Sequence, residues 1–510
     1  MDPVPSKYPG RLWFSATCAW LGSFQFGFHL AVLNTCLSFT SKDLKVTEAG
    51  GGAVITSVLL VGAAAGGFFA GQAADALGPR RTLVWNNVPL LAGSCLSALA
   101  PGSTLGFWSM LLGRLLAGCG VGTASLVVPR YLAEIAPVAI RGALGTFSQL
   151  FVCVGILVAF VIGLPYDGKE ATVQLLDHDT AWWRVMFAIG LLPAAMQAVG
   201  MSFCPESPVW LEWKGKTEDA WRAKGQLQGQ VASALPQISN LGATHFSDVE
   251  KRETTAFDEE TDGVTQPLRA SEEGAVLSEA ESSYLEDEDV GGEGGWDDLV
   301  QPRYRRMMVL AVSLPLLQQA SGINSITFYS SSVFARAGLR SPILGSIVVG
   351  CVNVAGTGVA AYLMDRLGRR PLLILSHAGM ATSLISISVA RFLPLPAEVE
   401  GYVSLVAILG SVLLFSFGVG PIPWLYISEI LPERIKGRAA ALCTCLNWLA
   451  ALVIGLVFPV MLELLDISSS YLVFAALNAG AVVFAYTCMV ETKGRSLQRV
   501  IHSLLVDHSD

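Results

Sequence analysis

The sequence predicts an all-α membrane protein of twelve spanning helices, arranged as two related six-helix halves. Composition, the recurrence of apolar runs and an internal repeat carry that expectation. Of 510 residues, 52% are hydrophobic and 15% charged, whereas soluble domains carry about 25% charged residues. Glycine is abundant at 51, as suits helices that pack closely in a bilayer. Apolar stretches near the roughly 20 residues needed to cross a bilayer recur from end to end. Spans are expected at 12–37, 53–74, 82–100, 105–128, 143–163, 183–203, 307–334, 343–364, 371–391, 402–427, 439–462 and 471–490.

The repeat divides these spans into two sets of six. Asp75-Ala-Leu-Gly78 after span two returns as Asp365-Arg-Leu-Gly368 after span eight, 290 positions on. Tyr131-Leu-Ala-Glu134 after span four returns as Tyr426-Ile-Ser-Glu429 after span ten, 295 on. Pro205-Glu206-Ser207 after span six returns as Glu491-Thr492-Lys493 after span twelve. Three matches in order at nearly one offset indicate duplicated halves, a plan in which a substrate binds near the midplane while the halves rock about it. The expected divisions are an N-terminal half (1–205), a linker (206–300), a C-terminal half (301–492) and a tail (493–510).

Charge orients the chain. Arg80, Arg81, Arg130, Arg141, Lys214 and Lys216 follow spans two, four and six. Arg366, Arg369, Arg370, Arg434, Lys436, Arg438, Lys493, Arg495 and Arg499 follow spans eight, ten and twelve. The opposite loops carry few, such as Lys42, Lys169 and Arg391. The positive-inside bias places both termini and the linker in the cytoplasm. The formal net charge of −8 hides this pattern. Residues 245–298 hold 18 acidic and 3 basic residues, a net of −15, which leaves about +7 for the rest.

Within the linker, 206–240 mixes Trp, Leu, Lys and Glu and is expected to form short helices. Residues 245–298 are rich in Glu, Ser, Gly and Thr, with too little apolar surface to offset chain entropy. That segment is expected to be a disordered, solvated linker; its sharper use would be to engage a regulatory partner. Eleven residues precede the first expected span, so no separate cleaved targeting peptide is expected. The ten cysteines lie in or beside apolar spans and read as small packing residues, and Cys443 and Cys445 point to different helix faces.

Several motifs, in order, resemble the sugar porters of the major facilitator superfamily. They are Gly113-Arg114, Pro129-Arg-Tyr131-Leu-Ala-Glu134, Arg141-Gly142 and Pro205-Glu206-Ser207-Pro208 in the first half and linker. In the second half they are Gln318-Gln319-Ala-Ser-Gly322-Ile323-Asn324, Asp365-Arg-Leu-Gly368-Arg369-Arg370, Gly420-Pro421-Ile-Pro423-Trp424 and Glu491-Thr492-Lys493-Gly494. Ser148–Pro165 and Trp182-Trp183-Arg184 look most like plastidic glucose transporters of plants and algae. Pro79, Val209, Lys436 and Val490 depart from the family pattern, all near the motif loops. The resemblance implies the major facilitator fold and transport of a hexose such as glucose by alternating access. It also implies a plasma-membrane or plastid inner-envelope location.

A sugar has hydroxyls on its rim and C–H groups on its faces, so a buried site suits amides that donate and accept, with an aromatic ring beneath. Neutral amides cost less to desolvate than charges. The resemblance assigns sugar contacts to Gln149, Gln318, Gln319, Asn324, Asn353, Trp424 and Asn447, and site or gate aromatics to Phe26, Phe328 and Tyr329. Pro421 and Pro423 are expected to break span ten where a gate needs a hinge.

Asp75, Glu134, Arg141, Glu206, Asp365, Arg369, Glu429 and Glu491 are expected at one set of helix ends, where pairs across the two halves would hold the outward-open state as a gate and break when the inside opens. An exposed pair contributes only about 0–1 kcal/mol, so only a network of them biases a conformer. His29 and Arg114 are the candidates for proton coupling. Proton-coupled relatives usually have Asp where His29 stands, facing the arginine. A protonated His29 would repel Arg114 and a neutral one changes little, so a facilitative uniporter is favoured over a proton symporter. A non-transporting sugar sensor is the reading from another class. No nucleophile–base set, phosphate loop or metal cluster is evident, so no enzyme activity, cofactor or metal is expected. The scattered basic clusters do not suit nucleic acid. The expected partners are the hexose and the lipid bilayer.

Overall fold

The computed structural model describes residues 9–137, 140–166, 172–175, 178–228, 295–336, 340–393 and 396–494, with positions 500, 503 and 504. In the first half, α1 (Gly10–Ala31) is followed by the short α2 (Leu37–Asp43), α3 (Ala53–Leu77), α4 (Pro79–Ala98), α5 (Thr104–Ile135) and α6 (Arg141–Ile162). The sixth span is α7 (Trp182–Ile189) continued by α8 (Leu191–Ser202). A small antiparallel hairpin, β1 (Thr172–Leu175) and β2 (His178–Ala181), precedes it and is the one departure from an all-helical chain among the described residues.

The linker begins with α9 (Pro208–Trp213) and α10 (Thr217–Gln228), as its mixed composition suggested. The second half contains α11 (Arg305–Ala320), α12 (Ile323–Arg336), α13 (Pro342–Leu367), α14 (Arg369–Phe392) and α15 (Ala397–Leu414). It continues through α16 (Ile422–Ile430), α17 (Glu433–Leu464) and α18 (Asp466–Cys488).

Among the described residues, nine helices are long and apolar enough by themselves to cross a membrane. The other three expected spans are α1, α4 and the broken pair α11–α12. Gln25 and His29 dilute the first, and Arg80, Arg81, Asn86 and Asn87 the second. Large apolar side chains such as Phe69, Trp85, Trp108, Val453 and Tyr486 remain exposed outside the bundle, as a lipid-facing surface requires. Close helix approach inside it explains part of the glycine content. A Cβ on Gly62 would sit 2.1 Å from the Leu115 carbonyl oxygen, and one on Gly122 2.0 Å from that of Ala63, so α3 and α5 touch backbone to backbone.

The repeat is visible atom by atom at one end of the bundle, called here the motif end. Gly78 (φ 94°) and Gly368 (φ 88°) turn the chain between α3 and α4 and between α13 and α14. Each needs positive φ and has no room for a side chain. A Cβ would lie 2.6 Å from Glu206 at the first and 2.8 Å from Glu491 at the second. Glu206 accepts from the Arg80 amide at 2.8 Å, and Glu491 from the Arg369 and Arg370 amides at 3.0 and 2.9 Å. Both carboxylates thereby cap a helix N-terminus, where the dipole favours negative charge. Tyr131 donates to the Pro205 carbonyl at 2.8 Å, and Tyr426 to that of Val490 at 2.9 Å.

Two spans of the second half break as their sequences require. Gly322, at φ 86°, separates α11 from α12. A π-helical turn at Phe415–Val419 ends α15, and Pro421 and Pro423 start α16 on a new path.

One expectation is corrected at the end of the linker. Residues 295–298, placed in the disordered segment, fold into a 3-10 turn at Trp296–Val300. Trp296 stacks on Phe68 of α3 with ring centroids 5.6 Å apart, and Asp298 pairs with Arg434 of α17 at 3.3 Å. Composition missed this because one tryptophan and one ion pair anchor a segment that is otherwise acidic. The rest of the acidic segment, 245–294, lies outside the described residues.

Candidate functional site

Of the polar side chains expected at the site, Gln319, Asn324 and Asn447 bond one another, while Gln318, Asn353 and Gln149 bond other groups. Gln319 donates to Asn447 at 2.7 Å and accepts from Asn324 at 2.5 Å, joining α11, α12 and α17 through three buried amides. Gln318 donates to the Val419 and Gly420 carbonyls, both at 2.8 Å. Those carbonyls lose their helical partners at the Gly420–Pro421 break, so Gln318 caps the α15 terminus and pins the hinge. Asn353 of α13 accepts from Ser416 in the same turn at 2.7 Å.

The aromatics form two groups. Phe26 meets Trp448 edge-on at 5.3 Å, bringing α1 of the first half against α17 of the second. Trp448 also donates to Ser125 of α5 at 3.4 Å. Phe328 and Tyr329 lie edge to face at 6.3 Å, and the Tyr329 hydroxyl donates to the Gly455 carbonyl at 2.8 Å. Trp424 on α16 remains 36% exposed. Gln149 on α6 is half-buried and reaches the Cys153 sulfur at 4.0 Å. Cys153 contacts Thr357 of α13 at 3.3 Å, a further bond between halves.

At the end opposite the motifs, Asn34 ties the halves together. Its amide nitrogen donates to the Thr327 carbonyl at 2.7 Å and the Ser330 hydroxyl at 3.1 Å. Its oxygen accepts from the Ser331 hydroxyl at 2.6 Å, and Ser330 and Ser331 both contact Ser346 at 2.7 and 2.9 Å. The molecule is therefore closed at that end. Asn34, Trp448, Ser416 and the Ser330–Ser331–Ser346 cluster went unselected in the sequence. Asn34 had the same signal as the chosen amides, a carboxamide inside an apolar run.

Arg114 is fully buried. It donates to the His29 carbonyl at 2.8 Å and to that of Ile55 at 3.5 Å, and its guanidinium lies 5.9 Å from the centre of the Phe187 ring. The His29 ring contacts Ser94 at 3.4 Å instead. Arg114 is thus held by main-chain oxygens of His29 and Ile55, not by the imidazole. Among the described residues no carboxylate pairs with it.

In this conformer the charged motif residues pair within halves. Arg130 pairs with Asp75 at 2.6 Å and Glu134 at 2.8 Å, inside the first half. Arg369 pairs with Glu429 at 2.9 Å, inside the second. Glu206 and Glu491 cap helices of their own halves, and Arg141 is exposed. The side chain of Asp365 lies outside the described set. Pairing across the halves is the expectation for the outward-open state, and in this conformer, closed at the far end, these pairs lie within each half. Neighbouring helix ends offer nearer partners than the opposite half does. Burial lifts the Glu206 carboxyl above its ordinary range, while amides from Arg80, Ser207 and Arg81 oppose the shift.

Two six-helix halves, broken spans around a cluster of buried amides and a sealed far end define a membrane carrier of the major facilitator type. The family model described as "Sugar (and other) transporter" matches residues 15–502. The chain belongs to the sugar transporter family. It is 38% identical over 486 residues to plastidic glucose transporter 4 of Arabidopsis thaliana, covering 94% of this chain and 78% of that one. It is 31% identical over 517 residues to the facilitated glucose transporter member 4 of solute carrier family 2 from Mus musculus, covering 98% and 92%. Its structure resembles the proton:xylose symporter XylE bound to 6-bromo-6-deoxy-D-glucose, with a TM-score of 0.73 and 25% identity over 97% of this chain and 99% of that one.

Proposed function

We propose that the protein carries glucose or a closely related hexose across its membrane by alternating access, as a facilitative uniporter. The observation that carries this reading is the chain of bonded amides Asn324–Gln319–Asn447 beside the Gln318-capped hinge. Those groups match the chemistry of sugar hydroxyls, and Gln318, Gln319 and Asn324 sit on the span that breaks at Gly322. Trp424, Gln149 and Asn353 complete the proposed site, with Phe26, Phe328 and Tyr329 at its edge. The names of the plastid and solute-carrier relatives support glucose as the substrate. The plastid names favour an inner-envelope location, with a plasma membrane as the alternative. The basic motif end faces the cytoplasm or its plastid equivalent, by the positive-inside bias.

Uniport is favoured because the ligands of Arg114 are main-chain carbonyls, which do not titrate. A proton symporter needs a group whose two protonation states bind that cation differently. Purified protein in liposomes should take up labelled glucose with saturation, and excess unlabelled glucose should compete. Absence of flux from folded protein would favour a non-transporting sensor.

Deleting 245–294 should leave that flux nearly intact when the ends are rejoined by a short flexible linker. Loop closure depends weakly on length, so the change costs little. The deletion leaves Trp296 on Phe68 and Asp298 on Arg434. A deletion variant that reaches the membrane yet carries no sugar would show that the acidic segment, with its regulatory partner, is required.

A further inference from the structure

Ser376 and His377 stand side by side on α14, a helix that supplies none of the candidate sugar contacts. Both are buried, as is Asn478 of α18. The Ser376 hydroxyl accepts from the Val419 amide at 3.2 Å and donates to the Leu414 carbonyl at 2.5 Å. It thereby grips the π-helical turn that ends α15 at both of its ends. His377 reaches the other break, at Gly322, through Asn478. The Asn478 amide nitrogen donates to the Phe474 carbonyl at 2.8 Å and to the Ser321 carbonyl at 3.1 Å. Its oxygen is left to accept, so His377 Nδ1, 2.8 Å away, is the donor. Ser321 directly precedes Gly322, and its carbonyl is one that the break frees from helical bonding.

Close packing supports both contacts independently. A Cβ on Gly418 would lie 2.7 Å from the Ser376 side chain, and one on Gly322 2.8 Å from the Phe474 ring. α14 and α18 therefore press directly on the two breaks.

The bonds close a ring. Ser376 holds the Val419 amide, and Gln318 holds the Val419 carbonyl. The Ser321 hydroxyl donates to the main-chain carbonyl of Gln318 at 2.6 Å, Asn478 holds the Ser321 carbonyl, and His377 holds Asn478 one position from Ser376. Neither break can shift without opening a member of this ring. We propose that Ser376, His377 and Asn478 are positioning residues that keep the two breaks in register and so set hexose affinity. They act through Gln318 and its neighbour Gln319, and do not touch the sugar. The inference rests on the reading of Gln318, Gln319 and Asn324 as part of the hexose site.

The test uses the full purified chain. His377→Leu fills the space but removes the donor, Asn478→Leu removes both links, and His377→Asn restores a donor close to the Nδ1 position. Hydrogen exchange read by mass spectrometry reports on the break without any transport. Peptides covering 318–324 should exchange faster in both leucine variants. In liposomes, both should raise the KM for glucose about two- to tenfold, the size expected for one lost hydrogen bond, with the maximal rate per folded molecule little changed. His377→Asn should return both readouts toward the parent's values. A role in packing alone would lower the amount of folded protein and leave KM where it was. The inference is overturned if exchange at 318–324 or KM stays at the parent value in both leucine variants, or if His377→Asn behaves as His377→Leu. A parent protein that carries no glucose would sink the hexose reading by itself, and exchange alone would then decide whether the ring holds the breaks.

Discussion

Gln318→Ala is expected to cut glucose flux strongly while the protein remains folded and inserted. The side chain donates to both Val419 and Gly420, the carbonyls freed where α15 gives way to α16. Each hydrogen bond contributes about 0.5–1.5 kcal/mol net, so losing both costs about 1–3 kcal/mol. If that cost falls on the transport barrier, flux drops by about five- to a hundredfold. Gln318→Asn, one methylene shorter, should also fall, because it does not reach both carbonyls. Trp424→Ala should lower flux by a separate route, removing an exposed ring from the proposed sugar face. Initial uptake rates in liposomes, with thermal melting as a folding control, make the comparison. Unchanged affinity and flux in both alanine variants would place the sugar site elsewhere.

Asn34→Ala is expected to release the far end of the molecule. The residue makes short bonds to Thr327, Ser330 and Ser331, at 2.7, 3.1 and 2.6 Å. All three lie between halves, so they exist only while that end is closed. Their combined loss, at about 0.5–1.5 kcal/mol each, shifts the ratio of closed to open molecules by about ten- to a thousandfold. Spin labels introduced through Lys45→Cys and Arg340→Cys report the separation there. The variant should populate longer distances than the parent, and net flux should fall because one half of the cycle is disfavoured. A distance distribution identical to the parent's would show that other contacts hold the closure.

Much of the fold was legible because bilayers impose strong rules. Every backbone group must be satisfied within the span, so length and hydropathy mark the helices, and a duplicated chain repeats its turn motifs at a fixed offset. Gly78 and Gly368 illustrate this, since the same positive φ and the same capping glutamate recur in both halves. The amides of the candidate site were legible for a similar reason. An uncharged polar group in an apolar run needs a partner, and Gln319, Asn324 and Asn447 find one another.

Partner choice was harder to read. A sequence shows that Arg130, Arg369 and Glu429 are charged and near helix ends, but not which half each will face in a given conformer. The structure pairs them within halves. Trp296 escaped notice because one aromatic at the edge of an acidic stretch barely alters its composition, although stacking on Phe68 orders it. Asn34 escaped because the resemblance to sugar porters drew attention to positions near the midplane, while closure of the far end depends on a residue beyond it.

The central claim is downhill carriage of a hexose without obligatory proton coupling. Arg114 is the cation that a coupled carrier would pair and release, and here it rests on the His29 and Ile55 carbonyls. A proton has no carboxylate to occupy beside it among the described residues. The most direct measurement is labelled-glucose counterflow and net uptake in liposomes, with and without an inward proton gradient. The protein should equilibrate glucose without concentrating it in either condition, and His29→Asn should keep most of that flux. Accumulation above equilibrium that requires the proton gradient, and disappears in His29→Asn, would contradict uniport and make His29 the coupling residue.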